Sequence, residues 1–343
     1  MRAEGDLTIL AAVTGGSGRL GNVLVRALLD RGVKVRVLEP GAGRPPSLEG
    51  LDLELVQGSI LDREAVATLC HGADAVFHLA AKVDLDRDVD GSIFAVNVEG
   101  TRHVLAACVA GGMRLVHCSS HHALVRHPLE EPLDERRPLA LEEPCDYHRA
   151  KAVAEKLVLD GVANDGLDAV ICSPGTLLGP HDYEPSMIAK ALVDLYQGRL
   201  PVLMHVVSDF VDTRDVAAGM IAAGERGRSG ERYLLSGDVL TMQDVTREVA
   251  SITGRRMPKV FLPIWVGWAL LPFSIAAARI TRKKPLFTAG VLRASVSNRV
   301  VIHEKAAREL GFSPRSARAS LEDSFGWYRE RGWLEGSTVA AAR

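Results

Sequence analysis

The sequence predicts an α/β fold, a doubly wound parallel sheet with a smaller, discontinuous C-terminal substrate lobe. Three observations lead there. Short apolar runs alternate with helical periodicity through the N-terminal half, the first run ends in the glycine-rich turn TGGSGRLG (Thr14–Gly21), and beyond residue 174 the pattern loosens into loops, amphipathic helices and isolated strands. Strands buried on both faces read as unbroken apolar runs, and crossover helices between them make the sheet parallel. At 343 residues the chain has room for both units. The expected division is 1–174, with returns near 206–236 and 296–303, against a lobe from 175–205, 237–295 and 304–335.

The first strand is LTILAAV (Leu7–Val13), and after the glycine turn NVLVRALLDRG shows helical spacing through Val23, Leu24, Ala27 and Leu28. Strand, glycine turn and helix in that order are what a dinucleotide site requires. The glycines allow a tight turn and close approach of backbone to pyrophosphate, and the helix N-terminus offers unpaired N–H groups to the anion. This is the Rossmann arrangement, with Gly15, Gly18, Arg19, Leu20 and Gly21 as the candidate cradle. The next strand, VKVRVL (Val33–Leu38), leads into Glu39. A carboxylate there accepts hydrogen bonds from the ribose hydroxyls and repels a 2′-phosphate, so NAD is expected over NADP. Arg36 and Arg44 stand close enough in sequence to keep a 2′-phosphate open. Leu53–Asp62 and Ala73–Ala81 read as two further strands. Ligands gather at carboxyl ends of such strands, which puts Ile60 near the adenine and Ala80, Ala81 and Lys82 beside phosphates and ribose.

A helix containing NVEGTRHVLAACVAGG precedes the strand MRLVHCSS, which delivers Ser119 and Ser120. Tyr147 and Lys151 follow in CDYHRAKAVAEK, four apart and therefore on one helical face. Ala150, Val153, Ala154 and Leu157 form the stripe that seats this helix. A tyrosine is a poor base near neutrality, its reference pKa being about 10. A neighbouring ammonium and a cationic nicotinamide are expected to lower it. Tyr147 then takes a proton from an alcohol, or gives one to a ketone, while Ser120 holds the same oxygen. Assistance of this kind is worth roughly 10²–10⁴ in rate.

TGGSGRLG, HLAA, NVEGT, CSS and YHRAK, with SPGTLLGP and FVDTRDVA further on, together resemble the extended short-chain dehydrogenase/reductase family, of NAD-dependent epimerase/dehydratase type. The order and spacing agree along nearly the whole chain. The resemblance implies Tyr147 and Lys151 as catalytic pair, Ser120 as catalytic serine and Asn97 as support for the active site. It also implies Gly15, Gly18 and Gly21 at the phosphates, with Ser119, Pro174 and Thr176 joining the cofactor set. Ser59 stands where the family usually has an aspartate against adenine. The family commonly forms homodimers through the helix after NVEGT and the helix of Tyr147, where Val104, Leu105, Val153 and Leu157 serve either the interface or the sheet.

Three reactions remain open within that family. Its dehydratases carry Asp and Glu after a Thr where this chain has SSHHAL. Its epimerases carry an Asn after Pro-Gly and an arginine before the phenylalanine of the later motif, where this chain has Thr176 and Asp209. DFVDTRDVAAG, GERYLLSGD, ITGRRMPKV and the C-terminal helices resemble the dihydroflavonol reductase and 3β-hydroxysteroid dehydrogenase branch. The expectation is an NAD(P)-dependent oxidoreductase interconverting a secondary alcohol and a ketone on an apolar, steroid- or flavonoid-like skeleton. A nucleotide-sugar 4-epimerase holding NAD tightly and a non-catalytic nucleotide sensor are the alternatives. His121, His122 and Trp265 are candidate substrate contacts.

A net charge of −2 argues against nucleic acid as partner. Five scattered cysteines without a C-x-x-C suit a reducing cytosol and suggest neither disulfides nor zinc. The histidines of HCSSHHALVRH lack ligand spacing with carboxylate or Cys, so no metal is expected. The N-terminus shows no charged-then-apolar leader, so a cytoplasmic location is expected. Val260–Ala278 is uncharged, interrupted by Pro263 and Pro272, and followed by RITRKK. It reads first as an apolar wall or lid of the substrate lobe and second as a peripheral membrane contact.

Overall fold

A computed structural model describes residues 9–281 and 288–335. Seven parallel strands form the main sheet: β1 (Leu10–Thr14), β2 (Lys34–Glu39), β3 (Glu54–Gln57), β4 (Ala75–His78), β5 (Arg114–Cys118), β6 (Ala169–Pro174) and, at the far edge, β10 (Arg232–Leu235), in the order β10-β6-β5-β4-β1-β2-β3. The order reverses at β1, which leaves a crevice at the carboxyl ends of β1 and β4. Helices cover both faces. On one side α1 (Arg19–Leu29) packs Leu24, Val25 and Leu28 with α7 (Thr213–Arg226). On the other, α2 (Arg63–Cys70), α4 (Gly100–Gly111) and α5 (Asp146–Asn164) close a second apolar layer around Leu69, Val104 and Val158.

Four expected strands have different bounds. Leu7 and Thr8 lie outside the described residues. Glu39 is the last residue of β2 rather than the one after it. The expected strand Leu53–Asp62 stops at Gln57; Gly58 follows with φ +157°, where a Cβ would stand 2.3 Å from Ala65 Cβ. Asp62 instead caps α2, accepting from the N–H groups of Glu64 and Ala65. Ala73–Ala81 shortens to Ala75–His78.

Before α4 the chain passes through a single turn, α3 (Ser92–Phe94), and a π-helical turn, Ala95–Glu99. The stretch Ser92–Gly111 is long and apolar enough to cross a membrane by composition. Here Val104 and Cys108 are in the core instead.

Beyond β6, β7 (Thr176–Leu178), β9 (Val207–Asp212) and β11 (Asp238–Thr241) form a second sheet. Packed with it are α6 (Met187–Tyr196), α8 (Met242–Thr253) and α12 (Ala317–Glu330), around Leu192, Phe210, Val249 and Phe325. This layer encloses a small apolar cavity of about 70 Å³, lined by Leu178, Leu192, Phe210 and Leu240 among others. β8 (Val202–His205) pairs with β12 (Val260–Pro263), which leads into α9 (Ile264–Thr281). The uncharged segment lies largely at the surface: Trp265 and Phe273 are 67% and 71% exposed, and Trp268, Leu270 and Ile275 are exposed as well. The short α10 (Ala289–Ala294) lies against α9, and α11 (Glu304–Leu310) against α7.

Candidate active site

The glycine turn is held by backbone proximity. Gly15 has φ +70°, and a Cβ there would stand 2.7 Å from Ala80 N; one on Gly21 would stand 2.0 Å from Gly15 O. Gly18 is the N-cap of α1 and offers no side-chain cap, so the first N–H groups of the helix remain available to an anion. These features fit a dinucleotide pyrophosphate. Three residues that the sequence did not single out fix the turn. Thr14 Oγ1 accepts from Leu79 N (3.2 Å) and Ala80 N (3.1 Å) and bonds His78 Nδ1 (2.7 Å). Asn22 Nδ2 donates to the carbonyls of Gly18, Arg19 and His181, and Ser47 Oγ donates to Ser17 O (2.8 Å). The legible signal was their type and place, a hydroxyl ending β1 and a lone amide in the first turn of an apolar helix. Leu20 is buried, while Arg19 turns to the second lobe, donating to Ser186 Oγ (3.0 Å) and lying 3.5 Å from Asp182 Oδ2.

Glu39 ends β2 only 8% exposed. Both nearby arginines are committed elsewhere. Arg36 binds Glu54 Oε2 (2.8 Å) and the carbonyls of Thr68, Leu69 and His71, and Arg44 donates to those of Leu48, Leu51 and Leu53. Ser59 Oγ accepts from Leu61 N in the turn before α2. Ile60 is buried against Gly100. Ala80 and Ala81 are half-buried beyond β4. Asn97, in the π-helical turn, clamps Lys82 through both main-chain groups: its Oδ1 accepts from Lys82 N (3.1 Å) and its Nδ2 donates to Lys82 O (2.9 Å). Its role is thus to fix the loop after β4. The Lys82 ammonium bonds Ser92 Oγ.

The end of β5 and the first turns of α5 gather the remaining candidates. Ser120, buried, caps the short turn His121–Ala123 by accepting from His122 N (3.2 Å). Ser119 donates its hydroxyl to Glu155, which is wholly buried and paired with Arg232. Tyr147 is half-buried against Ile93, Val98 and Ala150. Lys151, one turn on, is buried with Nζ donating to Cys118 O at 2.6 Å. The expected lowering of the Tyr147 pKa is not what the surroundings produce. Burial pushes the phenol above its ordinary value, and burial likewise pulls the Lys151 ammonium down, its charge being turned towards the Cys118 carbonyl.

The histidines pack together. His121 meets His122 edge-on at 4.2 Å, and His122 stacks on His148 at 4.2 Å. Burial holds His122 well below its usual pKa and brings His148 down to about 3, so both are neutral at pH 7. His121 Nδ1 lies 3.4 Å from Oδ2 of Asp209, a fully buried carboxylate whose Oδ1 accepts from Gly237 N. Among the described residues no three His, Cys, Asp or Glu side chains converge as a metal site. Pro174 ends β6, and Thr176 opens β7 opposite Phe210. Trp265, the candidate substrate contact on α9, is exposed at the surface.

The NAD dependent epimerase/dehydratase family matches residues 11–236. Sterol demethylase protein B of Methylococcus capsulatus is 35% identical over 94% of this chain and 99% of its own. A putative dihydroflavonol 4-reductase of Synechocystis is 29% identical over 94% of this chain and 95% of its own. The crystal structure of gox2253 superposes with a TM-score of 0.84 at 30% identity, covering 95% of this chain and 99% of that one. Sheet order, glycine turn and these likenesses agree, and the chain belongs to the NAD-dependent epimerase/dehydratase family, the extended short-chain dehydrogenase/reductase enzymes.

Proposed function

We propose that this enzyme interconverts a secondary alcohol and a ketone on a largely apolar, sterol- or flavonoid-like molecule, with Tyr147 as general acid and base. The observation that carries the choice over sugar-nucleotide chemistry is Asp209. A buried carboxylate facing His121 occupies the position where epimerases of the family carry an arginine, so a diphosphate would meet negative charge there. The names of the relatives, a sterol demethylase protein and a dihydroflavonol reductase, support an apolar ring system.

In alcohol oxidation the Tyr147 oxygen takes the hydroxyl proton while the carbon gives up hydride. A bound nicotinamide dinucleotide supplies the hydride acceptor. Ser120 donates to the substrate oxygen and fixes its direction towards Tyr147. Lys151 holds a positive charge one turn along α5 and stabilises the Tyr147 phenolate, which is the starting base in oxidation and becomes a phenol on taking the proton. In ketone reduction the same phenol donates its proton. Glu39, with Arg36 and Arg44 tied to other partners, favours NAD over NADP. A homodimer through α4 and α5 and a cytoplasmic location complete the reading.

The test is a substrate screen on purified protein, combined with quantification of the nucleotide released on unfolding. NADH formation with hydroxysteroids or flavan-4-ols, from protein purified free of nucleotide, is the expected result. Stoichiometric retained NAD with epimerisation of a UDP- or dTDP-sugar would overturn it. Unimpaired cellular function of Tyr147→Phe with NAD binding intact would instead assign a nucleotide sensor.

A further inference from the structure

α9 is hydrophobic all round, yet it is not buried. Trp265, Trp268, Leu270, Phe273 and Ile275 are all exposed, on an element with no polar face of its own. A helix apolar on every side belongs in a protein core or in lipid, and exposed patches of this kind mark an interaction surface. The charge around it is one-sided. Between Glu248 and Glu304 the chain carries nine Lys or Arg and no Asp or Glu, although its net charge is −2. Arg255, Arg256 and Lys259 stand exposed just before β12. Arg279, Arg282, Lys283 and Lys284 follow the apolar stretch in sequence, the last three outside the described residues. Arg293 covers one face of the Trp268 ring at 5.4 Å.

We propose that α9 docks this enzyme on an anionic lipid bilayer, lying in the interface with its aromatic side chains among the upper acyl chains and the exposed Arg255, Arg256 and Lys259 among the headgroups. Tryptophan prefers that depth, and lysine and arginine next to it gain from anionic lipid. The apolar part, Ile264–Ala276, is about 20 Å long at 1.5 Å per residue, short of the roughly 30 Å of a hydrocarbon core, and Pro272 interrupts it. It therefore rests on the membrane rather than crossing it. A second copy of the chain would bring the same nine-charge surplus against itself, which disfavours self-association through this face. The docking does not depend on which alcohol is turned over.

Co-sedimentation of the full chain with phosphatidylcholine–phosphatidylglycerol vesicles, against pure phosphatidylcholine, tests this. Binding to the anionic vesicles, weakened at least about tenfold on neutral ones or at high salt, is expected. Brominated acyl chains should quench tryptophan fluorescence, since Trp265 is the most exposed indole. The Phe273→Ser, Ile275→Ser variant changes only exposed positions, keeps its circular dichroism, and should lose about tenfold or more in partitioning. Absence of binding to either vesicle, or binding unchanged in the variant, would overturn the proposal. So would a dimer in light scattering that the variant abolishes without any lipid affinity, which would assign the face to a second copy.

Discussion

The ammonium of Lys151 is fastened to the main-chain carbonyl of Cys118 at 2.6 Å, so α5 is pinned to the last residue of β5, two positions before Ser120. One bond thus sets the distance between the helix of Tyr147 and the serine strand. Lys151→Met should lower kcat by two orders of magnitude or more and, by leaving the carbonyl without this partner, cost about 1–3 kcal/mol of stability. Tyr147→Phe should lower kcat by roughly 10²–10⁴ with little change in melting temperature. Because burial raises the Tyr147 pKa, alcohol oxidation should climb with pH between about 6 and 9, while ketone reduction stays flat there, the phenol being already protonated. An oxidation rate independent of pH over that range would remove Tyr147 as the base.

The proposed preference for NAD over NADP rests on Glu39 at the end of β2. With Arg36 held by Glu54 and Arg44 held by three carbonyls, no free cation waits for a 2′-phosphate among these residues. Glu39→Ser should therefore reduce the NADH-over-NADPH ratio of kcat/KM by about tenfold or more, through relief of repulsion rather than gain of a new contact. An unchanged ratio would move the discrimination away from this carboxylate.

Ser119, Glu155 and Arg232 join three elements that lie far apart in sequence, the end of β5, α5 and the edge strand β10. Glu155 is fully buried and the Arg232 side chain is 10% exposed, so each compensates the charge of the other. Arg232→Met leaves an unpaired buried carboxylate and should cost about 3–5 kcal/mol by chemical denaturation. The double variant Arg232→Met, Glu155→Leu should recover part of that loss. Additive losses would mean that the pair is not coupled.

That triad also marks where the sequence stopped being legible. Glycines, alternating apolar runs and the Tyr147–Lys151 spacing are local patterns, and they carried the sheet, its crossover helices and the residues around Ser120. Glu155 and Arg232 carry no local signal, because nothing in a helical stripe or a short strand says that two charges 77 residues apart share a buried site. The Asp209–His121 contact is hidden for the same reason, although each residue stands in a motif of its own. In α9 composition spoke clearly of apolar surroundings, but hydrophobicity has no direction, and only the fold shows the aromatic side chains exposed at the surface.

Buried histidines make a final prediction about acid. His78 and His148 are held neutral by burial, each with a pKa brought down from 6.5 to about 3. The unfolded chain takes up protons at these positions once the pH falls below about 6.5, and the folded chain does not until about 3. Their contribution is therefore complete above pH 6.5 and is lost progressively between those values, at up to about 1.4 kcal/mol per pH unit for each group. Carboxylates such as Asp212, held below their ordinary range by arginine and backbone partners, add losses only below about pH 5, where carboxyls of the unfolded chain begin to protonate, so the decline between pH 6.5 and 5 belongs to the buried histidines. His148→Phe keeps an aromatic ring stacked on His122 and removes one titrating group. Denaturant unfolding at pH 7, 6 and 5 should show a shallower decline in this variant, with equal or greater stability at pH 7, because neither His148 nitrogen has a hydrogen-bond partner to lose. A decline as steep as that of the unmodified protein would mean that His148 accepts its proton within the fold.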